Sequence, residues 1–372
     1  MTQGRTSTPD VIVIGGGAIG LTVAWRAAER GLRTILLEHG GVGGGTSHHA
    51  AGMLAPVAEA IAGEESLLEL GLASASAWPA FAAELGDVGY TACGTLLVAR
   101  DADEAATLER EIALRRRFGL SVERLRASEA RRREPGLAPT LRLALDVADD
   151  HAVDPRRLCR ALVAAIRGAG GDVREGTAVA GVEVSRDRVT GVRLADGAVL
   201  AAGDVVIAAG AWAGELAGVG EPVPLRPVKG QILRLHDPAG PGLLRRVIRM
   251  GPAYVVPRGD GRYVIGATSE ERGFDRTVTA GAMFELLRDA SELVPGVSEW
   301  VVDEFTAGLR PGTPDNLPAI GPGSVPGLHW AVGHRRGGIL LAPVTAQLVV
   351  DGLTGDPPEG VFTPRRFARA AA

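Results

Sequence analysis

The sequence predicts a two-domain protein of mixed α/β and α+β class, in which a parallel sheet with flanking helices is interleaved with an antiparallel sheet. Three observations predict this fold. A strand, a helix and a second strand follow one another at the N-terminus, an α/β pattern returns after residue 151, and antiparallel strand patterns fill residues 222–307. At 372 residues the chain is also longer than a single hydrophobic core usually supports.

The first predicted unit is a βαβ arrangement. DVIVIG predicts a buried strand, AIGLTVAWRAAERG a helix that ends at Gly31, and RTILLE a second buried strand. Two strands joined by a helix in this way are parallel, so the unit predicts a Rossmann-type sheet. A glycine-rich loop follows over residues 40–52, and a helical pattern then covers residues 64–85.

The middle of the chain alternates between strands and helices. GTLLVARD predicts a strand, and the arginine-rich residues 104–134 predict a pair of solvated helices. From Asp154 the chain predicts a helix in PRRLCRALVAAIRGAG, a strand near Val179, a hairpin around SRDRVTGVRLADG and a buried strand in DVVIAAGAW.

The last third of the chain changes to antiparallel strands. The segment AYVVPRGDGRYVIGAT predicts a hairpin with a GDG turn, and a final helix follows GHRRGG. We therefore predict that residues 1–60, 152–221 and 308–372 form the nucleotide-binding domain, and that residues 61–151 and 222–307 form the second domain.

Composition argues against several classes of function. The hydrophobic fraction of 46% is ordinary for a globular protein, and a net charge of -4 offers no basic surface for nucleic acid. The first ten residues lack the apolar core of a secretory signal, and no apolar run is long enough to span a bilayer, so we expect a cytoplasmic protein outside the membrane. Cys93 and Cys159 form no CxxC pair, and the histidines lack metal-ligand spacing, so we expect no metal site.

The motif VIVIGGGAIG predicts a nucleotide site. Gly15, Gly17 and Gly20 have the GxGxxG spacing between a strand and a helix, which permits a tight turn, a close approach to a pyrophosphate and close helix–strand packing. Glu38 ends the second strand, where its carboxylate can accept hydrogen bonds from ribose hydroxyls. A carboxylate there disfavours a 2′-phosphate, but NAD and FAD both remain open.

Further segments extend the pattern over nearly the whole chain. AAGMLAP, YVVP…IGAT, AGLRPGTPD and GHRRGGILLAP follow the nucleotide motif in this order. With these segments the chain resembles the FAD-dependent amine oxidases of the D-amino acid oxidase family, and among them the glycine oxidases of bacterial thiamine biosynthesis. The resemblance implies a glutathione-reductase-like FAD domain, FAD as the cofactor and a homo-oligomer. It also implies non-covalent attachment, because GLRPGT lacks the cysteine that tethers FAD in the sarcosine oxidases.

The resemblance assigns the substrate site to a few residues. Arg310 would anchor the substrate carboxylate, for which a guanidinium offers two parallel donors in one plane. Tyr254 would donate a hydrogen bond to the same carboxylate, and Met53 would lie over the flavin. Arg336 would be a second substrate contact, although Arg335 beside it could take that position.

Each of these assignments has a structural alternative. Arg310 could pair with an internal acid such as Asp315 or Asp303, and Tyr254 could simply pack in a core. Met53 could fill a gap between other side chains, as methionines often do.

The resemblance also implies the cofactor contacts. Val179 would lie near the adenine, and the N-terminus of the last helix would stabilise negative charge on the reduced flavin. The full set of expected contacts is Gly15, Gly17, Ala18, Ile19, Gly20, Glu38, His39, Thr46, Ser47, Ala51, Gly52, Met53, Val179, His334, Arg335, Arg336, Gly337, Gly338, Ile339 and Leu340.

The implied reaction is the oxidative deamination of a small amino acid by FAD and oxygen, with glycine first and with sarcosine and small D-amino acids as further substrates. The alternatives are a dehydrogenase of the same fold with another electron acceptor, a non-catalytic nucleotide-binding protein and a nicotinamide dehydrogenase. Three positions depart from the family pattern. Ser269 replaces a methionine, Pro252 a histidine and Gly337 an asparagine, which leaves the breadth of substrates open.

Overall fold

The computed structural model describes residues 8–251 and 253–368. Pro252, one of the three departures, lies outside the described residues. The helices are Ala18–Glu29 (α1), Thr46–His49 (α2), Glu65–Leu85 (α3), Ala102–Arg117 (α4), Ala127–Arg133 (α5), Pro155–Gly168 (α6), Ala280–Leu293 (α7) and Ala342–Leu353 (α8). The strands are Val11–Ile14 (β1), Thr34–Leu37 (β2), Met53–Leu54 (β3), Thr95–Ala99 (β4), Glu123–Arg126 (β5), Leu143–Val147 (β6), His151–Ala152 (β7), Asp172–Arg174 (β8), Val179–Ser185 (β9), Arg188–Leu194 (β10), Val199–Ala201 (β11), Asp204–Ile207 (β12), Arg226–His236 (β13), Val247–Met250 (β14), Ala253–Pro257 (β15), Arg262–Gly266 (β16), Val301–Gly312 (β17), Ala319–Pro322 (β18) and Leu328–Val332 (β19).

A six-stranded sheet contains the N-terminal βαβ unit. Its order is β18-β19-β12-β1-β2-β8, and its neighbours are parallel except for β18 and β19. Val11 and Val13 of β1 pack in a core with α1, α6 and α8, whereas Ile12 and Ile14 pack in a second core with the small sheet β11-β10-β9. Because both faces are covered, β1 is buried along its whole length, as its unbroken apolar run predicts.

The second large sheet of the structure has eight strands. Its order is β17-β13-β16-β15-β14-β4-β6-β5. Within this sheet, as far as the structure describes it, β14 and β4 form the one parallel pair and the other neighbours are antiparallel. The sequence prediction of a parallel sheet interleaved with an antiparallel one is therefore confirmed.

The prediction that residues 222–307 contain only strands was wrong, because α7 lies within them. Leu286, Ala290 and Leu293 of α7 are buried at helical spacing, and the helix contacts β13, β15 and β16. The predicted helix pair over residues 104–134 is also interrupted, because β5 separates α4 from α5 and forms the edge of the sheet.

The pairing of the strands suggests one change to the predicted domain boundaries. The rest of the domain division stays a prediction. Strand β17 pairs with β13 along its length, from Gly312 opposite Arg226 to Val301 opposite His236. The predicted limit at residue 308 would cut this strand, so we place the limit after residue 312 instead.

Candidate active site

The turn between β1 and α1 forms the nucleotide end of the site. Gly15 has a φ of 110°, and a Cβ added there would lie 2.5 Å from the carbonyl oxygen of Ala208. A side chain at Gly20 would overlap the carbonyl oxygen of Gly15, so helix and turn can approach only with glycine at this position. Gly17, the N-cap of α1, provides no side-chain cap, and the first turn contains no acid. The positive end of α1 is thus open to an anion such as a pyrophosphate.

Glu38 lies directly after β2, beside this turn. Its carboxylate accepts hydrogen bonds from the backbone N–H of Gly16 at 2.7 Å and of Gly40 at 2.9 Å, and Nδ1 of His39 lies 2.7 Å from the same group. These contacts fix the carboxylate on the wall of the cavity described below. Because a carboxylate has about four acceptor positions, it can still accept hydrogen bonds from ribose hydroxyls.

Residues 46–53 connect the nucleotide end with the second sheet. The hydroxyl of Thr46 donates a hydrogen bond to the carbonyl oxygen of Leu309 at 2.6 Å, and the hydroxyl of Ser47 accepts one from the N–H of Ala18 at 2.9 Å. Met53, in β3, is half-buried. This segment therefore ties the first turn of α1 to β17 of the eight-stranded sheet.

A cavity of about 650 Å³ extends between the nucleotide end and the eight-stranded sheet. Most of the predicted site residues lie on its wall. They are Gly15, Gly17, Ala18, Ile19, Glu38, His39, Thr46, Ser47, Ala51, Gly52, Met53, Val179, Tyr254, Arg310, His334, Arg335, Arg336, Gly338 and Ile339. The open helix terminus, the carboxylate after β2 and the length of this wall fit the pyrophosphate, ribose and ring system of FAD.

Three predicted cofactor contacts do not lie on the wall. Gly20 packs against the turn, Gly337 faces Leu341, and Leu340 lines a smaller adjacent cavity. The last helix begins at Ala342, behind the wall residues, because the carbonyl oxygen of Leu340 accepts hydrogen bonds from α3 and directs this segment into the core. The expected contact between the N-terminus of α8 and the flavin therefore remains a prediction.

Two glycines clear the space for the substrate end. A Cβ at Gly230 in β13 would overlap the guanidinium of Arg310, and a Cβ at Gly266 in β16 would overlap the hydroxyl of Tyr254. Tyr254 lies opposite Gly266 in the β15–β16 pair, and Arg310 extends from β17 over β13. Both side chains thus lie across neighbouring strands on the same face of the sheet and end at the cavity.

Arg310 does not make either of the internal ion pairs that the sequence left open. Asp315 pairs with Arg366 at 2.7 Å, and Asp303 pairs with His236 at 2.8 Å. Among the described residues, the side chain of Arg310 donates one hydrogen bond, from Nη1 to the carbonyl oxygen of Thr268 at 3.0 Å. This single neutral acceptor leaves most donors of the guanidinium for a ligand.

Tyr254 is 9% exposed, and burial raises the pKa of its phenol, whereas the neighbouring Arg310 lowers it by a smaller amount. The hydroxyl therefore keeps its proton at neutral pH and can donate a hydrogen bond to a carboxylate held by Arg310.

Arg336, the predicted second substrate contact, is already paired with acids. Its Nη2 lies 2.7 Å from Glu64, and its Nε lies 3.4 Å from Glu59. Arg335 lies on the same wall and has a φ of 45°, in the left-handed region. Both arginines reach the cavity, and the assignment of Arg336 rather than Arg335 to the substrate stays a prediction.

Three charged wall residues, Arg249, Glu59 and Glu215, were missed by the sequence prediction. Arg249 lies opposite Tyr254 in the β14–β15 pair, and its Nη1 is 3.2 Å from a carboxylate oxygen of Glu59. The signal available in the sequence was the alternation in VIRMG, which places Arg249 on the same face as Tyr254 once the hairpin is closed. No local signal points to Glu59.

His334 lies on the wall near the end of β19. Its Nε2 is 2.9 Å from the hydroxyl of Thr345 on α8, and the residue is 5% exposed. Burial lowers the pKa of His334 to about 3, so this imidazole is neutral at physiological pH. Its contact with Thr345 links the cavity wall to the helical layer.

Two further properties concern only the described residues. Across residues 8–251 and 253–368, no three His, Cys, Asp or Glu side chains are grouped so that they could hold a metal ion. Among the helices described, none combines the length and the apolarity needed to cross a bilayer.

Comparisons with known proteins place this site in a family. The bifunctional protein ThiO/ThiG of Synechocystis sp. is 36% identical over 374 residues, which cover 97% of this chain and 54% of that protein, so the chain spans about half its length. The glycine oxidase of Geobacillus kaustophilus is 38% identical over 352 residues, with 92% of each chain covered. The crystal structure of glycine oxidase from the same organism superposes with a TM-score of 0.91 at 35% identity and covers 97% of this chain and 99% of that one. The model of the family described as DAO, FAD dependent oxidoreductase, matches residues 10–352, and the chain therefore belongs to this family of FAD-dependent oxidoreductases.

Proposed function

We propose that this chain is a glycine oxidase. In the overall reaction glycine, water and oxygen give glyoxylate, ammonia and hydrogen peroxide. The observation that carries the proposal is the pair of Arg310 and Tyr254, which presents carboxylate-binding donors on the wall of the cavity that also contains the nucleotide end. The similarity to proteins named glycine oxidase supports the choice of glycine.

The geometry of the wall supports a proposal for the residues that would hold FAD. The first turn of α1 would hold the pyrophosphate, Glu38 the ribose, and residues 46–53 and 334–339 the flavin end. FAD, when bound, supplies the acceptor for the two electrons and the hydrogen removed from the substrate. We propose that it is bound non-covalently, because neither Cys93 nor Cys159 lies on the cavity wall.

The proposed role of the protein side chains is to position the substrate, and the reaction needs no covalent bond between a side chain and the substrate. Arg310 and Tyr254 would bind the carboxylate of the substrate at two points, and the apolar Met53 and Ile232 would exclude water from the reacting carbon. His49 is also on this wall, but burial lowers its pKa to about 4, so it is uncharged at neutral pH. Desolvation and the nearby arginines both disfavour an ammonium group, so this wall favours the amine form of the substrate that has lost a proton.

Glycine, sarcosine and small D-amino acids share the carboxylate and amine that this site would recognise. Ser269, which departs from the family pattern, lies on the cavity wall and adds a hydroxyl there. We further propose, from the resemblance to the enzymes of thiamine biosynthesis, that the imine formed from glycine is supplied to thiazole synthesis.

The test is the visible spectrum of the purified protein under anaerobic conditions, recorded before and after glycine is added. We expect a flavin band that bleaches with glycine, and peroxide formation when air is admitted. Bleaching without peroxide would instead indicate the dehydrogenase that uses another acceptor, which the names of the relatives do not favour. A flavin band that survives glycine, sarcosine and D-alanine would contradict the proposal.

Two properties of the whole protein also stay proposals. We propose a homo-oligomer, which light scattering coupled to size-exclusion chromatography would test. We likewise propose a cytoplasmic location, which fractionation of the source cells would test.

A further inference from the structure

The substrate end of the cavity carries more positive charge than one amino-acid carboxylate requires. Arg310 is sufficient for that carboxylate, yet Arg249, Arg335 and Arg336 also line the wall. Three acids lie on the described wall: Glu38 at the nucleotide end, Glu215 at the end of the turn over residues 210–215, and Glu59 among the arginines. The excess of cations indicates a substrate with a second anionic group.

Arg249 is the arginine best placed to meet such a group. It lies next to Tyr254 across the β14–β15 pair. Gly266 and β13 lie on the other side of Tyr254, and Arg310 extends over β13. Its side chain is 18% exposed. Arg249 and Arg310 therefore flank the phenol from opposite sides of the same sheet face.

The donors of Arg249 are only partly used. Its Nη1 lies 3.2 Å from Glu59 and 3.4 Å from the carbonyl oxygen of Ala58. Its Nε and Nη2 have no hydrogen-bond partner among the described residues, and neither atom is fully enclosed. An edge of the guanidinium is therefore available to a ligand in the cavity.

Glu59 does not fully neutralise Arg249, because it is shared. The same carboxylate lies 3.4 Å from Nε of Arg336, which also pairs with Glu64. Glu59 and Glu64 together equal Arg249 and Arg336 in number, but Glu59 meets Arg249 through Nη1 alone, at 3.2 Å. The remaining donors of Arg249 can therefore still bind a second anion, and the partly desolvated wall strengthens that attraction.

We propose that Arg249 binds a second carboxylate of the substrate, and that the site accepts glycine with a carboxylate arm on its nitrogen, such as N-(carboxymethyl)glycine. This inference rests on the proposed function. An arm on the nitrogen leaves the reacting carbon as it is in glycine. In the overall reaction N-(carboxymethyl)glycine, water and oxygen give glycine, glyoxylate and hydrogen peroxide.

The binding test uses two inert ligands that differ in one carboxylate. Oxydiacetate has an ether oxygen in place of the amine, and methoxyacetate lacks its second carboxylate. Their Kd values for the FAD-loaded protein would be measured from the change in the flavin absorbance. We expect oxydiacetate to bind about 10- to 150-fold more tightly, the range for a hydrogen bond between charged groups, and Arg249→Gln to reduce this preference to less than threefold.

Two further variants keep the test decisive. Arg245→Gln removes an exposed arginine just before β14, and the preference should stay at the wild-type value. Glu59→Gln removes the acid that competes for Arg249, so we expect it to increase the preference for oxydiacetate. If Arg249→Gln fails to fold, a preference that is unchanged or lower in Glu59→Gln still overturns the proposal.

Turnover separates this inference from the proposed function. The ratio of kcat/KM for N-(carboxymethyl)glycine to that for N-methylglycine should fall at least tenfold in Arg249→Gln. If N-methylglycine and glycine both reduce the flavin but the wild-type protein binds the two inert ligands equally, the inference on Arg249 fails and the proposed function stands. If neither glycine nor N-methylglycine reduces the flavin, the proposed function itself fails.

Discussion

The one described hydrogen bond of the Arg310 side chain goes to a neutral carbonyl oxygen, that of Thr268, although this side chain lies on the cavity wall. Most arginines around it pair with acids, as Arg336 does with Glu64. Arg310 is half-buried, and a partly buried guanidinium with unused donors is stable in a binding site because the ligand completes its hydrogen bonds. This arrangement depends on Gly230, since any side chain there would displace the guanidinium.

Arg310→Ala should therefore lower kcat/KM for glycine by about 150- to 5,000-fold. The loss corresponds to about 3–5 kcal/mol, the cost of leaving one partner of a buried ion pair without the other. Steady-state peroxide production measures it. The flavin spectrum of the variant should match that of the wild type, and Arg262→Ala, at an exposed position on β16, is the matched control. Activity near that of the control would remove Arg310 from the carboxylate site.

Tyr254→Phe should have a smaller effect that does not change with pH. Removing a hydrogen bond to a charged group costs about 1.5–3 kcal/mol, or roughly 10- to 150-fold in kcat/KM. Because burial raises the pKa of Tyr254 above that of an ordinary tyrosine, its hydroxyl stays protonated through the neutral and mildly alkaline range. The ratio of wild-type to variant kcat/KM should thus be constant between pH 6 and 9. A ratio that collapses toward one within this range would mean that the phenol titrates there.

At the scale of elements, regular burial made the parallel sheet predictable. The unbroken apolar run of β1 and the capped start of α6 at Asp154 are strong local signals. The strand β5 is different, because Leu125 is its one buried residue and the segment ERLR has no apolar alternation. Its place at the sheet edge depends on pairing with β6, which no local pattern shows. Helix α7 did carry a helical period, but it lies in a region where strand patterns dominate.

The segment before α3 is fixed by an arrangement that the sequence does not reveal. Asp150, which is fully buried, accepts hydrogen bonds from the N–H groups of Val57 at 3.2 Å and Ala58 at 2.5 Å. Arg115 donates to the carbonyl oxygens of the same two residues at 2.9 and 2.8 Å. The backbone N–H and C=O groups of residues 57–58 are therefore all hydrogen-bonded to buried side chains. These bonds fix the backbone that places Glu59 on the cavity wall.

Asp150→Asn should destabilise the protein by about 2–4 kcal/mol, because the amide puts a donor next to backbone donors in a buried site. Urea unfolding of the FAD-loaded protein measures this change. Asp149→Asn is the control, since Asp149 is exposed and adjacent, and it should change the free energy of unfolding by less than about 0.5 kcal/mol. Equal effects of the two substitutions would show that the hydrogen bonds to residues 57–58 contribute little.

At the scale of the whole molecule, the site combines residues that are far apart in the chain. The GxGxxG turn is local and was predictable from spacing, and the resemblance supplied Arg310 and Tyr254. The ion pair of Glu59 and Arg249 joins positions separated by 190 residues, so it exists only once the eight-stranded sheet has closed on residues 55–64. Side-chain pairing between a strand and a turn distant in the chain follows from packing, which periodicity in one segment does not encode.

His334 links the same cavity wall to the helical layer through Thr345, and this buried contact makes the stability of the molecule depend on pH. Because its folded-state pKa is lowered to about 3 while an unfolded histidine titrates near 6.5, unfolding takes up a proton below that pH. The stability contributed by the neutral His334 is complete above pH 6.5 and is lost as the pH falls, by about 1.4 kcal/mol per unit.

We therefore compare the free energy of unfolding of the wild type with that of His334→Asn. The advantage of the wild type should be smaller at pH 4.5 than at pH 7.5, by up to about 2.7 kcal/mol. Urea titrations of both FAD-loaded proteins at pH 7.5, 5.5 and 4.5 measure it, and taking the difference cancels groups that titrate equally in both. His236→Asn, at a more exposed position beside Asp303, serves as the control, and its difference from the wild type should not follow this course. A difference between wild type and His334→Asn that is the same at all three pH values would show that His334 becomes protonated within the folded protein, and the wall around it would then admit water.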